Sequence, residues 1–182
     1  MRGRIVLFLL AFATVSFASC AELFQNSRVV RLTVSTDKPT YRSGEKVVAS
    51  YRLQNVGDRK LFVPVRFSAD CISKPRWSTQ LRHQAERQMP NGMVGDCHMQ
   101  SFPDFLEKLK ADSKLLSPGE HYAPEETFDT TGLKPGFYRV TAHVAAWKPT
   151  DFTEADRQEL CQLGEPLLTG TLSSSVTIRL VP

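Results

Sequence analysis

Catalytic and membrane-spanning signatures are missing from this chain of 182 residues. It has no His-Glu-x-x-His, no Gly-x-Ser-x-Gly elbow and no glycine-rich phosphate loop. Its four histidines, His83, His98, His121 and His143, are scattered. Cys-x-x-Cys does not occur, and neighbours such as Cys97 and His98 point different ways on a strand, so a metal cluster is disfavoured. The same pair lacks the third, orienting group that a nucleophile and its base require. Glu125 and Glu126 are adjacent, so on a strand their carboxylates face opposite sides. The expectation is no enzyme, no metal and no cofactor. An enzyme with scattered, motif-free catalytic residues stands as a second alternative.

Long apolar runs are scarce as well. A helix needs about 20 apolar residues to cross a bilayer, and the strongest run, Ile5 to Ala13, is shorter. That run follows Arg2 and Arg4 and precedes the small residues of Phe17-Ala18-Ser19-Cys20-Ala21. A basic start, a short apolar centre and small residues at a cut site are the plan of a secretory signal. The expectation is therefore a signal peptide over residues 1–19, with cleavage within 18–21, and an exported protein in the periplasm or outside the cell. Three processing routes are open: a cut after Ala18, a cut after Ala21 that discards Cys20, and lipidation of Cys20 at a lipobox-like Phe17-Ala18-Ser19-Cys20. The last would anchor the protein to a membrane by lipid.

Removing residues 1–19 leaves 163 residues, about one domain, expected over 28–182. Basicity is slight once the leader is gone, with 21 Lys and Arg against 19 Asp and Glu. No basic stripe interleaved with stacking aromatics is present, so nucleic acid is not an expected partner. Charge is uneven along the chain, however. Arg59, Lys60, Arg66, Lys74, Arg76, Arg82 and Arg87 lie in one stretch, and Asp151, Glu154, Asp156, Glu159 and Glu165 in another. Either these are two solvated faces, or the basic one meets an acidic partner or an anionic envelope surface.

Cysteines number only four: Cys20, Cys71, Cys97 and Cys161. Outside the cytosol, well-separated cysteines pair by default, and four permit three pairings. Cys71–Cys97 is the expected bridge because it brackets one irregular insertion. Closing such a loop contributes on the order of 3 kcal/mol in the chain-entropy model. Cys161 would then join Cys20, or stay free if Cys20 is removed or lipidated.

What the sequence does have is alternation. Val30, Leu32 and Val34 share one side of a strand over 29–35; Val47, Ala49, Tyr51 and Leu53 mark a second. Leu61, Val63, Val65 and Phe67 mark a third, where Pro64 predicts an edge position or a bulge. Trp77, Thr79 and Leu81, then 127–129, 138–144 and 174–180, continue the series. Turn residues separate these segments at Pro39 to Gly44, Asn55 to Asp58, Pro90-Asn91-Gly92, Pro118-Gly119 and Pro135-Gly136. Short helices are predicted within 101–112 and over 153–163, the latter with Thr153 as N-cap and Asp156 three residues on. About seven short strands with turns between them predict an all-β sandwich.

Thr36-Asp37-Lys38-Pro39-x-Tyr41-x-x-Gly44-Glu45-x-Val47, Leu53-x-Asn55-x-Gly57-Asp58, Leu116-x-Pro118-Gly119-Glu120 and Leu133-x-Pro135-Gly136-x-Tyr138-x-Val140 together resemble the bacterial immunoglobulin-like modules. The BsuPI-type proteinase-inhibitor domain and the macroglobulin-like domains of anti-protease proteins come nearest. The resemblance implies an immunoglobulin-like sandwich, here with one disulfide-bracketed insertion and one or two short helices. Its matched positions are structural, so no inhibitory residue carries over. Two functions follow as expectations. One is a non-catalytic binding or assembly module of the cell envelope, whose partner is another envelope or extracellular protein. The other is a protease inhibitor. Loops on a rigid sandwich carry function, so the expected contact residues lie in and around the insertion: Trp77, Arg76, Arg82 and Arg87, with Met89 and Met93 nearby. Trp77 and the methionines have a second reading, as packing over one end of the core.

Overall fold

The computed structural model describes residues 22–65, 76–84 and 105–182. In chain order its elements are β1 (Phe24–Asn26), β2 (Val30–Thr36), β3 (Thr40–Arg42), β4 (Lys46–Asn55), β5 (Leu61–Pro64), β6 (Arg76–His83), α1 (Phe105–Ala111), β7 (Ser113–Leu116), β8 (His121–Tyr122), β9 (Glu125–Asp129), β10 (Gly136–Ala145), α2 (Glu154–Leu160), β11 (Leu167–Thr169) and β12 (Thr171–Val181). The signal segment, Cys20, Phe67, Cys71, Arg87, Met89, Met93, Cys97 and the turn at 90–92 lie outside the described residues. Among those described, no helix is long and apolar enough to cross a membrane.

Two sheets face each other across the main core. One has β4 paired antiparallel with β2 on one side and with β8 and β9 on the other. The second runs β3-β12-β10-β6, with β10 antiparallel to both β12 and β6 and β3 parallel to β12. The predicted alternation is what closes them. Val47, Ala49, Tyr51 and Leu53 from one sheet and Val140, Ala142, Val144, Ile178 and Leu180 from the other are all buried in the same cluster. Each fully buried aliphatic side chain contributes about 1.5–3 kcal/mol relative to exposure. Two local features of the sandwich are shared with immunoglobulin-like folds. Trp77 on β6 is buried in the centre, edge-on to Tyr51 and Tyr122, and the Tyr138 hydroxyl at the start of β10 donates back to the Lys134 carbonyl at 2.9 Å. A buried core tryptophan and a tyrosine whose hydroxyl bonds back to the backbone a few residues upstream are features of that kind of sandwich.

Five described strands were not anticipated: β1, β3, β7, β8 and β11. Four strands form a third sheet, β1-β11-β5-β7, against which α1 and α2 pack. Its second core joins Leu109, Trp147, Phe152, Leu160 and Leu167, with Phe24 and Phe152 rings 5.5 Å apart. β5 serves both cores: Leu61 and Val63 face the main one, and Phe62 the second. The edge position predicted from Pro64 is therefore corrected. β5 lies between β11 and β7, and the proline is tolerated because β11 pairs with β5 only at Phe62, so no described strand needs a donor on that side of Pro64. α2 starts with the predicted capping box: the Thr153 hydroxyl accepts from the Asp156 N–H at 3.2 Å, and the Asp156 carboxylate accepts from the Thr153 N–H at 2.7 Å.

Candidate functional site

Alternation has a second consequence on the β3-β12-β10-β6 sheet, because every buried residue places its neighbours on the outer face. On β10 the outward positions are Phe137, Arg139, Thr141 and His143, and on β12 Thr171, Ser173, Ser175, Thr177 and Arg179. β6 adds Ser78, Gln80 and Arg82. Register sets the arrangement. Arg139 lies between Thr177 and Arg82, Thr141 between Ser175 and Gln80, and His143 between Ser173 and Ser78. Phe137 lies opposite Arg179, whose guanidinium sits 5.8 Å from the ring centroid. The Phe137 side chain is 54% exposed, one of two large hydrophobics left open among the described residues. Gln84 reaches over the edge of this face and donates to the Thr177 hydroxyl at 3.1 Å.

Acid is absent from this sheet. Not one Asp or Glu occurs in β3, β6, β10 or β12. Arg82, Arg139 and Arg179 form no ion pair among the described residues. The opposite sheet differs. Its exposed strands mix Lys46, Arg52, Glu125, Glu126 and Asp129, and several of these engage one another or nearby polar groups. Ser50 donates to Glu125 at 3.0 Å, and Arg52 lies 3.4 Å from His121. One sandwich thus presents a mixed sheet and a sheet whose four strands carry arginine and no carboxylate. A row of hydroxyl, amide, guanidinium and aromatic groups suits hydrogen-bonded and charge-assisted contact with an anionic surface.

The predicted site residues are scattered by the fold. Trp77 is a correction: it is 1% exposed, and its indole N–H donates to the buried Pro64 carbonyl at 2.6 Å, so it packs the core and is not free for a partner. Arg82 does stand on the outer face. Arg76 occupies the β6 position opposite Ala145, and Arg87 lies outside the described residues. Cys161 opens the 3₁₀ turn after α2 and is not a free thiol, while Cys20, Cys71 and Cys97 lie outside the described residues. Glu125 and Glu126 point to opposite sides of β9, Glu125 to Ser50 and Glu126 to the hydroxyl of Thr79 on β6. Tyr51 lies beside that last pair, and burial, followed by the Glu126 charge, pushes its phenol well above the usual range. This cluster ties the edges of the two sheets together. Among the described residues no group of three or more His, Cys, Asp or Glu converges as metal ligands would.

Arg139, Arg179 and Phe137 lie outside the insertion from which the contact residues are expected, on regular strands where only the apolar half signals the fold. The available signal is the outward half of β10 and β12, which carries hydroxyls and arginines and no carboxylate.

No protein-family profile and no curated protein matches this chain. Among solved structures, a crystal structure of the CARDB domain of the PF1109 protein from Pyrococcus furiosus, in complex with di-metal ions, superposes with a TM-score of 0.41 at 10% identity, over 84% of this chain and 87% of that one.

Proposed function

We propose that this chain is an exported, non-catalytic binding or assembly module of the bacterial cell envelope. On this reading the outer face of the β3-β12-β10-β6 sheet holds an acidic protein partner. The reading rests on one observation: three arginines, an exposed phenylalanine and rows of hydroxyls share a sheet face that has no carboxylate in any of its four strands. The three guanidiniums attract an acidic surface over roughly a Debye length, about 8 Å at physiological ionic strength. Hydroxyls and Phe137 then supply short-range fit.

The test is capture from an envelope extract by immobilised protein, compared with the triple variant Arg82→Ser, Arg139→Ser, Arg179→Ser. The expected result is an acidic protein retained by the wild type, released at about 0.5 M salt, and lost by the variant at unchanged circular dichroism. Equal retention by the variant would remove this face as the site. Stoichiometric inhibition in a protease panel run alongside, undiminished by the three substitutions, would replace the proposal with an inhibitor that works elsewhere on the fold.

A further inference from the structure

In an antiparallel ladder alternate residues bond to one neighbouring strand, and the residues between them face the other side. β10 pairs with β12 from Gly136↔Leu180 to Ala145↔Thr171, and just beyond, the Ala146 N–H donates to the Gly170 carbonyl at 2.8 Å. The even-numbered residues of β12 therefore bond to β10. The odd-numbered ones aim their N–H and carbonyl groups at the far edge. β3 meets that edge at its end only: the Arg179 N–H donates to the Pro39 carbonyl at 3.0 Å, and the Val181 carbonyl accepts the Ser43 N–H at 2.9 Å. Thr171, Ser173, Ser175 and Thr177 remain, all exposed, with edge backbone groups that no described strand pairs.

Open edges of this kind are normally blunted by lysine, proline or a bulge. The stretch Thr171-Leu-Ser-Ser-Ser-Val-Thr-Ile178 has no charge and no proline, and its pairing with β10 is unbroken. We propose that it pairs, antiparallel, with the same edge of a second copy. Thr171 then lies opposite the second copy's Thr177, Ser173 opposite its Ser175, and Ser174 on the twofold axis. A second copy is the occupant because the edge complements itself. In that register all four odd residues of each chain exchange backbone hydrogen bonds, the arrangement is isologous, and no like charges face across the seam. The ends fit too. Gly170 has φ 88° and breaks the line of the strand just before Thr171. The incoming chain thus stops short of β3, which begins opposite Arg179. The product is one continuous sheet whose two arginine-bearing faces lie side by side. This inference does not depend on the acidic-partner reading.

Sedimentation equilibrium of the purified chain under non-reducing and reducing conditions is the first measurement, with twice the chain mass expected in both. Ser175→Pro removes an N–H that no described strand uses in the single chain, so the fold tolerates it, yet it blocks the seam twice over. Loss of the dimer at an unchanged circular-dichroism spectrum is the expected outcome. Ser174→Cys provides a second reading even if the proline variant misfolds. Directly opposed residues of a non-hydrogen-bonded pair stand about 4.5 Å apart at Cα, within reach of a disulfide. Oxidation should link residue 174 to residue 174 of the second copy, identified by mass spectrometry of the joined peptide. A monomeric wild type, a Ser175→Pro dimer as strong as the wild type, or a wild-type dimer whose Ser174→Cys variant fails to cross-link would each overturn the proposal. The triple arginine variant should remain dimeric, which separates failure of this seam from failure of the binding face.

Discussion

Asn55 shows what one polar side chain can organise. It is fully buried at the end of β4, where its amide N–H groups donate to the Arg59 and Leu116 carbonyls at 2.7 and 3.0 Å and its carbonyl accepts from the Gly57 N–H at 3.0 Å. Its backbone meets Gly119 and Glu120 as well, so one residue pins both the β4–β5 turn and the β7–β8 turn. Replacing it with alanine leaves buried carbonyls unpaired, each costing about 1–3 kcal/mol. Asn55→Ala should therefore lower the unfolding free energy by on the order of 3 kcal/mol in a urea titration. Asn55→Asp should lower it further, because a carboxylate would then confront two carbonyl oxygens. The sequence showed Asn55-Val56-Gly57-Asp58 as a turn but not as a buried junction, since the Leu116 carbonyl comes from 61 residues away. Trp77 teaches the same lesson in reverse. Its alternation with Thr79 and Leu81 was visible, but whether a strand tryptophan faces core or solvent depends on the sheet across from it.

Single elements here are too short to stand alone. α2 has seven residues, well below the length at which an isolated helix persists in water, and is held by Leu160 in the second core and by its capping box. Thr153→Ala removes the cap and should cost about 1 kcal/mol, read as a lower melting temperature, while β10 and β12 stay intact by circular dichroism. The helix and its cap were legible because they need only local spacing. β1, β7 and β11 were not, since strands of three or four residues show too little alternation to register, and they exist only because they complete one another's hydrogen bonds. Around β3 the sequence shows turn formers, from Pro39 to Gly44. This segment becomes a strand where Tyr41 is buried and its hydroxyl donates to Asp37 at 2.6 Å, bringing the chain beside β12.

For the whole molecule, the ionisable groups predict a stability profile with two edges. Asp37, Glu45, Glu120 and Asp129 all have carboxyls held below their usual values. The chief cause is the Tyr41 hydroxyl for Asp37, Lys38 for Glu45, the Ser117 N–H for Glu120 and Thr131 for Asp129. A lowered folded pKa means that the stabilisation is complete above the unfolded value and disappears as pH falls through the folded one. Tyr41, Tyr51 and Tyr122 are shifted the other way, chiefly by burial. Their contribution is complete below the unfolded value and is lost as pH rises. The melting temperature should thus stay level in between, fall below about pH 4.5, where the unfolded glutamates begin to take up protons, and fall again above about pH 10. Tyrosinate absorbance should show these three phenols titrating together with unfolding, not before it. Normal titration in the native state would contradict the packing described here.

The sequence by itself determined that the chain is mostly strand, where its main turns fall and which side of each long strand is apolar, because a period of two is a local property of the backbone. It also held the acid-free polar half of β10 and β12, although as separate stretches of letters. Only the tertiary structure decided that these halves share one face with Arg82, that Trp77 belongs to the core, and that β12 is left with an open edge. Those outcomes depend on which strands become neighbours and in what register, and that is settled by how the buried side chains of both sheets fit together.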